Sequence, residues 1–390
     1  MFVSRVLSAF KRELYEVVKS RLYLAVLVLL PLVMLVFFAT MFYRGTIDEL
    51  PITVVDHDNT PMSRQLCSMI EATPGVDIAL RAQSIDEAES QMLSSKALAI
   101  LYIKQGFESD IYAGIPTEVE CYLPGTNISA SGVIERDVQQ ATLTFSSGVA
   151  LNRMQAMGVG YNQAMVDIMP IKMLINTVGN PYINYGFYLA PLFMFMGVVI
   201  FIMMATVYAF GRELRYATAR EWLRAANDSL LAAVVGKMLP TTIAMVINLQ
   251  LAMFILFVVM DMECAGSYLE LTLGSVIFVL AYQSVAIAIV SLTSNLRLGL
   301  SIGGGYAVMA FTFSGVTFPV MAMYDVAQWF SRLFPLTYFS NIFVDKAMLG
   351  VGLSYDVGDY LAMAAFMLLV PLAWRRLSRV VSSETYWCRD

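Results

Sequence analysis

Runs of about twenty apolar residues alternate along the chain with short charged segments, and each run has the length a bilayer-crossing helix needs. Before the first run, Val3, Val6, Leu7, Phe10, Leu14, Val17 and Val18 recur at helical spacing, with Arg5, Lys11, Arg12 and Lys19 on the other sides. This pattern predicts an amphipathic helix over residues 1–21 lying in a membrane interface. The first span follows over 22–43, with Pro31 expected to kink it. Further spans are predicted from Tyr185 to Phe210, Met238 to Met260, Leu271 to Leu292, Leu298 to about Phe318, and Gly358 to Trp374, giving six in all. Lys237 is expected to snorkel from the third span to the interface. In the fifth, Gly303 to Gly305 would allow close helix packing or a bend. Residues 319–350 are apolar but broken by Pro319, Asp325, Arg332 and Pro335. Two short helices dipping into the outer leaflet suit them better than one span, with Trp329, Phe334, Tyr338 and Phe339 at head-group depth.

Between the first and second spans the pattern changes. Residues 44–184 form a polar segment of domain size, too long for a loop. Ile52 to Asp56 and Ala97 to Ile103 are apolar runs of strand type, whereas VDIALRA and TEVECYL alternate as half-buried strands do. Pro61 to Ala72 and Ile85 to Ser94 carry helical spacing, and Ser84 with Glu87 offers a capping box. A long helix is predicted over Ser129 to Met157. Strands alternating with helices imply a small α/β sandwich. The fold class expected is therefore a polytopic α-helical membrane protein with an inserted α/β domain.

Composition agrees: of 390 residues 58% are hydrophobic and 14% charged, too apolar for an ordinary soluble domain. The net charge of -5 conceals an uneven distribution. Fifteen Lys and Arg fall on the amino-terminal helix, the loops after the second and fourth spans, and the carboxyl end, whereas Gly45 to Ile183 holds sixteen acids against seven bases. Assigned by the excess of Lys and Arg, the two termini are cytosolic (about +8 inside) and the acidic domain is extracytoplasmic (about -13 outside). No cleavable signal peptide is evident. One histidine, His57, and four scattered cysteines suggest no metal centre; His57 with Asp56 and Asp58 reads as an exposed turn. Cys67 and Cys121 lie in the same segment and could pair or remain free thiols. Bases are not gathered as nucleic-acid binding requires, and no nucleophile or paired-carboxylate constellation recommends an enzyme.

The most charged loop is GRELRYATAREWLRAAN, Gly211 to Asn227, within a loop region of 211–230. Four arginines and two glutamates there must face water. Read as a helix, Tyr216, Ala219, Trp222 and Leu223 share one side, so the loop could rest on one surface and present charge to another. It could equally be a positively charged loop that only fixes topology.

The order of interfacial helix, span, external domain, NPYINYGFYLAPLF, GRELRYATAREWL, Gly236-Lys237 and FSGVTFPVMAMYDVAQWFSRLFPLTYF resembles the ABC-2 type permeases. More narrowly, with ITVVDHDNTPMSRQL opening the inserted domain, it is similar to bacterial exporter permeases with an extracytoplasmic domain. The pattern from Ser314 to Phe339, through Phe318, Pro319, Trp329, Pro335 and Tyr338, is the most specific part. Leu214, Ala217, Asn227-Asp228-Ser229 and Ala190-Pro191 depart from the family pattern; Ala217 stands where a glycine is usual. The resemblance implies a non-catalytic membrane-domain permease (185–377 for spans two to six, with a cytosolic tail over 378–390) in the bacterial inner membrane. It would work with a cytosolic ABC ATPase dimer that binds ATP and Mg, and with a second permease copy or paralogue. A periplasmic adaptor and outer-membrane channel are further expected partners. Consistently, the chain has no G-x-x-x-x-G-K-S/T of its own. Carried over, Arg212, Glu213, Arg220, Glu221 and Trp222 become coupling residues contacting the ATPase.

Asn248, Gln250 and Gln283 are polar positions within spans that could line a pathway or bond helix to helix. An apolar, aromatic and Met-rich interior suits a lipid-like or amphipathic solute. Two other classes compete. A secondary transporter would need an internal repeat and ionisable residues near the midplane, neither of which the sequence offers. A receptor would need an output domain, and only about a dozen residues follow Arg376.

Overall fold

A computed structural model describes residues 2–171, 173, 176–180, 183–315 and 318–388. Pro181 and Tyr182 of the motif before the second span, and Val316 and Thr317 of the motif after the fifth, lie outside these residues. The chain divides into two compact units, residues 46–176 and residues 1–45 with 177–390.

Among the described residues of the larger unit, six helices are long and apolar enough to cross a membrane: Arg21–Phe42, Tyr185–Arg215, Leu230–Val259, Tyr268–Thr293, Leu296–Phe313 and Leu353–Ser382. The chain is thus a mostly helical protein of polytopic membrane type. Capping decides several boundaries. Ser229 accepts the backbone N–H of Ala232 and starts the third span eight residues before the purely apolar run. Asn184, Ser267 and Asn295 do the same for the second, fourth and fifth spans.

The first span carries a π-helical turn, Ala25–Leu29, ahead of Pro31. Proline has no N–H to offer the Leu27 carbonyl one turn earlier, and the Asn248 amide of the third span donates to that oxygen instead at 3.1 Å. In the fifth span Gly303 faces Met203 and Val207 of the second, whereas a Cβ on Gly304 or Gly305 would meet nothing. One glycine of the run therefore serves close packing, and the helix is unbroken over Leu296–Phe313.

Residues 319–350 form a single 3-10 turn and two short helices, Asp325–Ser331 and Pro335–Phe343, the second running into a π-helical turn to Met348. Pro335 sits in the first turn, where its missing N–H costs nothing. The head-group placement of Phe334 and Phe339 is corrected here, since both are fully buried. Phe339 stacks on Phe278 (4.3 Å between centroids) and meets Phe195 edge-on, while Phe334 lies 5.0 Å from Tyr306. The reason is spacing: Leu336, Phe339, Ile342 and Phe343 form one helix face and pack into the bundle. Trp329 and Phe318 are exposed, Tyr338 is half-buried and donates to the Arg332 carbonyl at 3.0 Å, and Ser314 is buried against Phe311.

The smaller unit holds a four-stranded sheet in the order β2-β1-β3-β4, formed by β1 (Leu50–Asp56), β2 (Val76–Arg81), β3 (Ala99–Ile103) and β4 (Val119–Tyr122). β1 runs parallel to β2 and β3, and β4 is antiparallel to β3. Helical crossovers make the parallel pairing feasible. Ile52 and Val54 point to one core with the helices Pro61–Glu71 and Ile128–Ala156, whereas Val55 points to the opposite face with Ala88. The first crossover helix starts with a full capping box, Thr60 with Ser63, and Pro61 at its first position. Ser84 caps the second, but Glu87 reaches the N–H of Gln83, one residue before the cap. Asp58 accepts from the backbone N–H groups of Gly106 and Glu108, and His57 packs edge-on to Tyr102. These are turn-bracing roles. Cys67 and Cys121 are free thiols; burial pushes each up to about 11.

Candidate functional site

The charged loop departs from a single helix. The second span continues to Arg215, the chain reverses at Tyr216 to Thr218, and a short helix occupies Ala219–Ala225. Ala217 adopts φ +57°, and the turn that closes the short helix places Asn227 and Asp228 at +48° and +58°. Asn and Asp tolerate that left-handed region; alanine is strained there. Because the helix breaks at Arg215, Tyr216 is exposed rather than aligned with Trp222.

The face packed beneath the loop is ionic. Arg12 of the amino-terminal helix forms a two-pronged pair with Glu213, at 2.7 and 3.0 Å. Glu213 also takes the Lys237 ammonium at 2.8 Å and the Thr218 hydroxyl at 2.5 Å. The second partner of Lys237 is Glu13, whose other oxygen accepts from the Tyr23 hydroxyl at 3.0 Å. Arg212 pairs with Glu16 at 2.5 Å. Three cations and three carboxylates are thus matched. Side chains of Glu13, Glu213 and Lys237 are no more than 1% exposed. Lys237 therefore does not snorkel; its ammonium has two buried carboxylates as partners, and the Trp222 ring lies 5.2 Å away.

Local sequence permits this approach. A Cβ on Gly236 would fall 2.6 Å from the Ala9 Cβ and from the Val6 carbonyl oxygen, so only glycine lets the amino-terminal helix lie directly on the third span. Ala9, Glu13 and Val17, spaced by four residues, form the buried stripe of that helix. Trp222 donates its indole N–H to the Ala233 carbonyl at 3.2 Å and meets Phe210 edge-on at 5.5 Å. The short helix is thereby fastened to both the second and third spans.

The residues anticipated for partner contact separate into two groups. Glu213 and Trp222 are buried, and Arg212 is half-buried against Glu16. Arg220, Glu221 and Arg224 are exposed on the short helix. Arg220 contacts the carboxyl-terminal segment through Glu384 at 3.0 Å and the Trp387 ring at 5.7 Å. That segment is held by the Cys388 N–H on the Leu214 carbonyl and the Trp387 indole on Val380.

The polar groups within the spans bond helix to helix. Besides Asn248, Gln283 accepts from Thr242 at 2.8 Å, and Gln250 accepts from Thr272 at 3.2 Å. A second buried ion cluster joins the start of the fourth span to residues 335–356: Lys346, fully buried, pairs with Glu270 at 2.7 Å and Asp356 at 2.8 Å. No group of three or more His, Cys, Asp or Glu suited to a metal occurs among the described residues.

Residues 21–374 match the family model of the ABC-2 family transporter protein. The chain belongs to that family. It is the membrane component of an ABC transporter, a permease, and in this family ATP hydrolysis belongs to a partner subunit. Comparisons with curated proteins and with solved structures returned no match. The joint beneath the charged loop ties three spans and the amino-terminal helix to the short helix Ala219–Ala225.

Proposed function

We propose that this ABC-2 permease exports an amphipathic or lipid-like solute across the bacterial inner membrane. Its short helix Ala219–Ala225 is the surface through which a cytosolic ABC ATPase dimer drives it. The observation that carries this reading is the contrast across that helix: Arg220, Glu221 and Arg224 face solvent, while Trp222 and the ion cluster beneath fix the helix to the bundle. A second permease chain, identical or paralogous, follows from the need to match two ATPase subunits. The excess of Lys and Arg on the termini and on loop 211–230 supports a cytosolic location for that end and an extracytoplasmic one for residues 44–184. A periplasmic adaptor leading to an outer-membrane channel would then meet the acidic domain.

Closure of the ATPase dimer would draw two copies of the short helix together, and rigid spans would carry the motion to the solute path. Proton coupling in a carrier would be the rival role for a buried lysine with two buried glutamates. Here every charge in the cluster is matched and the cluster braces packed helices, which supports a joint instead.

The test is co-purification of the full chain with its ATPase after Arg220→Ala, Glu221→Ala and Arg224→Ala, singly and together. Assembly should fall at least tenfold in the triple variant. Unchanged assembly overturns the assignment. Trp222→Ala is unsuitable, since it removes a buried ring and would dismantle the surface itself.

A further inference from the structure

The helix Ile128–Ala156 buries one face in the sheet core and leaves another over a trough. Positions 144, 145, 148, 149, 152 and 153 fall at helical spacing along that trough and line a cavity of about 650 Å³. Opposite lie Met62, Gln65 and Met69 of the helix Pro61–Glu71, with Ile111 and Tyr112 closing one end. A separate hollow of about 600 Å³, sharing Met69 and Thr144 with the first, is lined by Arg136 and Asp137, which pair with each other at 2.8 Å.

The chemistry of the lining is uneven. Its floor is Met62, Met69, Phe145 and Val149, flexible or aromatic groups that adapt to an apolar body. Its polar groups gather at the mouth: Asn152 and Arg153, both exposed, and Gln65. No acidic side chain lines the cavity, in a segment that holds sixteen acids and seven bases. The Arg153 guanidinium lies against Gly114 and has no ion-pair partner among the described residues. An apolar floor with one unpaired cation at the rim is complementary to an amphipathic anion.

We propose that this trough binds a free amphipathic monoanion, an apolar tail bearing a carboxylate or a similar head, with the head on Arg153 and the tail over Met62, Met69 and Phe145. The proposal rests on unit 46–176 alone, so its failure would leave the transport reading intact.

The probe is dodecanoate carrying a diazirine at its far end, photolysed with the full chain in phosphatidylcholine nanodiscs and mapped by peptide mass spectrometry. Label is expected on residues 61–71 and 141–153, displaced by unlabelled dodecanoate and not by dodecyltrimethylammonium. A Cβ at position 148 meets no atom within 4 Å, so Gly148→Trp fills the trough without displacing the fold and should cut labelling at least tenfold; Gly148→Ala should retain it. Arg153→Gln should weaken dodecanoate competition at least tenfold and leave competition by dodecanol unchanged. Label confined to the spans, equal displacement by the cation, or indifference to Gly148→Trp would overturn the site. Stronger labelling of the same peptides by a diazirine phosphatidylglycerol in the nanodisc would overturn the free anion in favour of bilayer lipid.

Discussion

Replacing Lys237 by methionine removes the cation that pairs directly with Glu13. Glu213 keeps Arg12 and Thr218, but Glu13 keeps only the Tyr23 hydroxyl, and both carboxylates are 1% exposed. Breaking a buried pair by removing one partner costs about 3–5 kcal/mol, because a charge is left buried without compensation. At about 1.4 kcal/mol per decade, even the lower figure lowers the folded-to-unfolded ratio roughly a hundredfold. Lys237→Met with Glu13→Gln removes both charges and leaves the remaining two cations and two carboxylates matched. It should recover most of the loss, giving a favourable coupling energy in the double-mutant cycle. The assay is denaturant unfolding in mixed micelles followed by tryptophan emission, with Trp222 beside the amine as a local reporter. Wild-type stability for Lys237→Met, or an equal loss in the double variant, would refute the argument that these charges form one matched joint.

Four further outcomes follow from particular contacts. Ala217→Gly relieves a left-handed alanine and should stabilise the loop by about 1 kcal/mol, read as a higher unfolding midpoint. Gly236→Ala should lift the amino-terminal helix from the third span, so that a cysteine placed at Ala9, inert otherwise, becomes reactive to maleimide. Cys67 should resist alkylation in the folded chain near neutral pH: it is buried, and burial with Asp56 nearby pushes its thiol up to about 11, so thiolate is scarce below that value. Burial alone would raise the Asp58 carboxyl, but hydrogen bonds from Thr60 and the backbone of residues 106–108 outweigh it and hold the group below the usual range. Its stabilising contribution is therefore present above the unfolded value, about 3.9, and lost as pH falls through the lower folded value; Asp58→Asn should flatten that acid dependence in hydrogen exchange at Gly106.

Much of the fold could be read from period and length. Apolar runs located the six spans, with ends off by up to eight residues where polar residues extend the helix, and short apolar runs with two alternating stretches located the four strands, because these signals are local. The joint at the charged loop was less legible, since Lys237 meets Glu13 and Glu213 across 224 and 24 residues of sequence. A lysine near the end of an apolar run reads as snorkelling unless its partners are known. One signal was available: Glu13 interrupts the stripe of Ala9 and Val17, and an acid on the packed side of an amphipathic helix requires a buried cation. Gly236 beside Lys237 was a second, marking a close helix crossing. Phe334 and Phe339 were misread because aromatic residues near a broken apolar segment suit an interface equally well; only the packing of the helix Pro335–Phe343 distinguishes the two. The family resemblance picked out the charged loop, but not which of its residues face inward.

The claim that this permease takes its force through the short exposed helix is tested most directly by a photoreactive amino acid at position 221 of the full chain in its native membrane. The account predicts a crosslink to an ABC ATPase, identified by mass spectrometry and altered in yield when ATP is trapped. An ATPase that assembles with the chain but crosslinks only elsewhere, or a position 221 that is labelled solely from the external face, would contradict it.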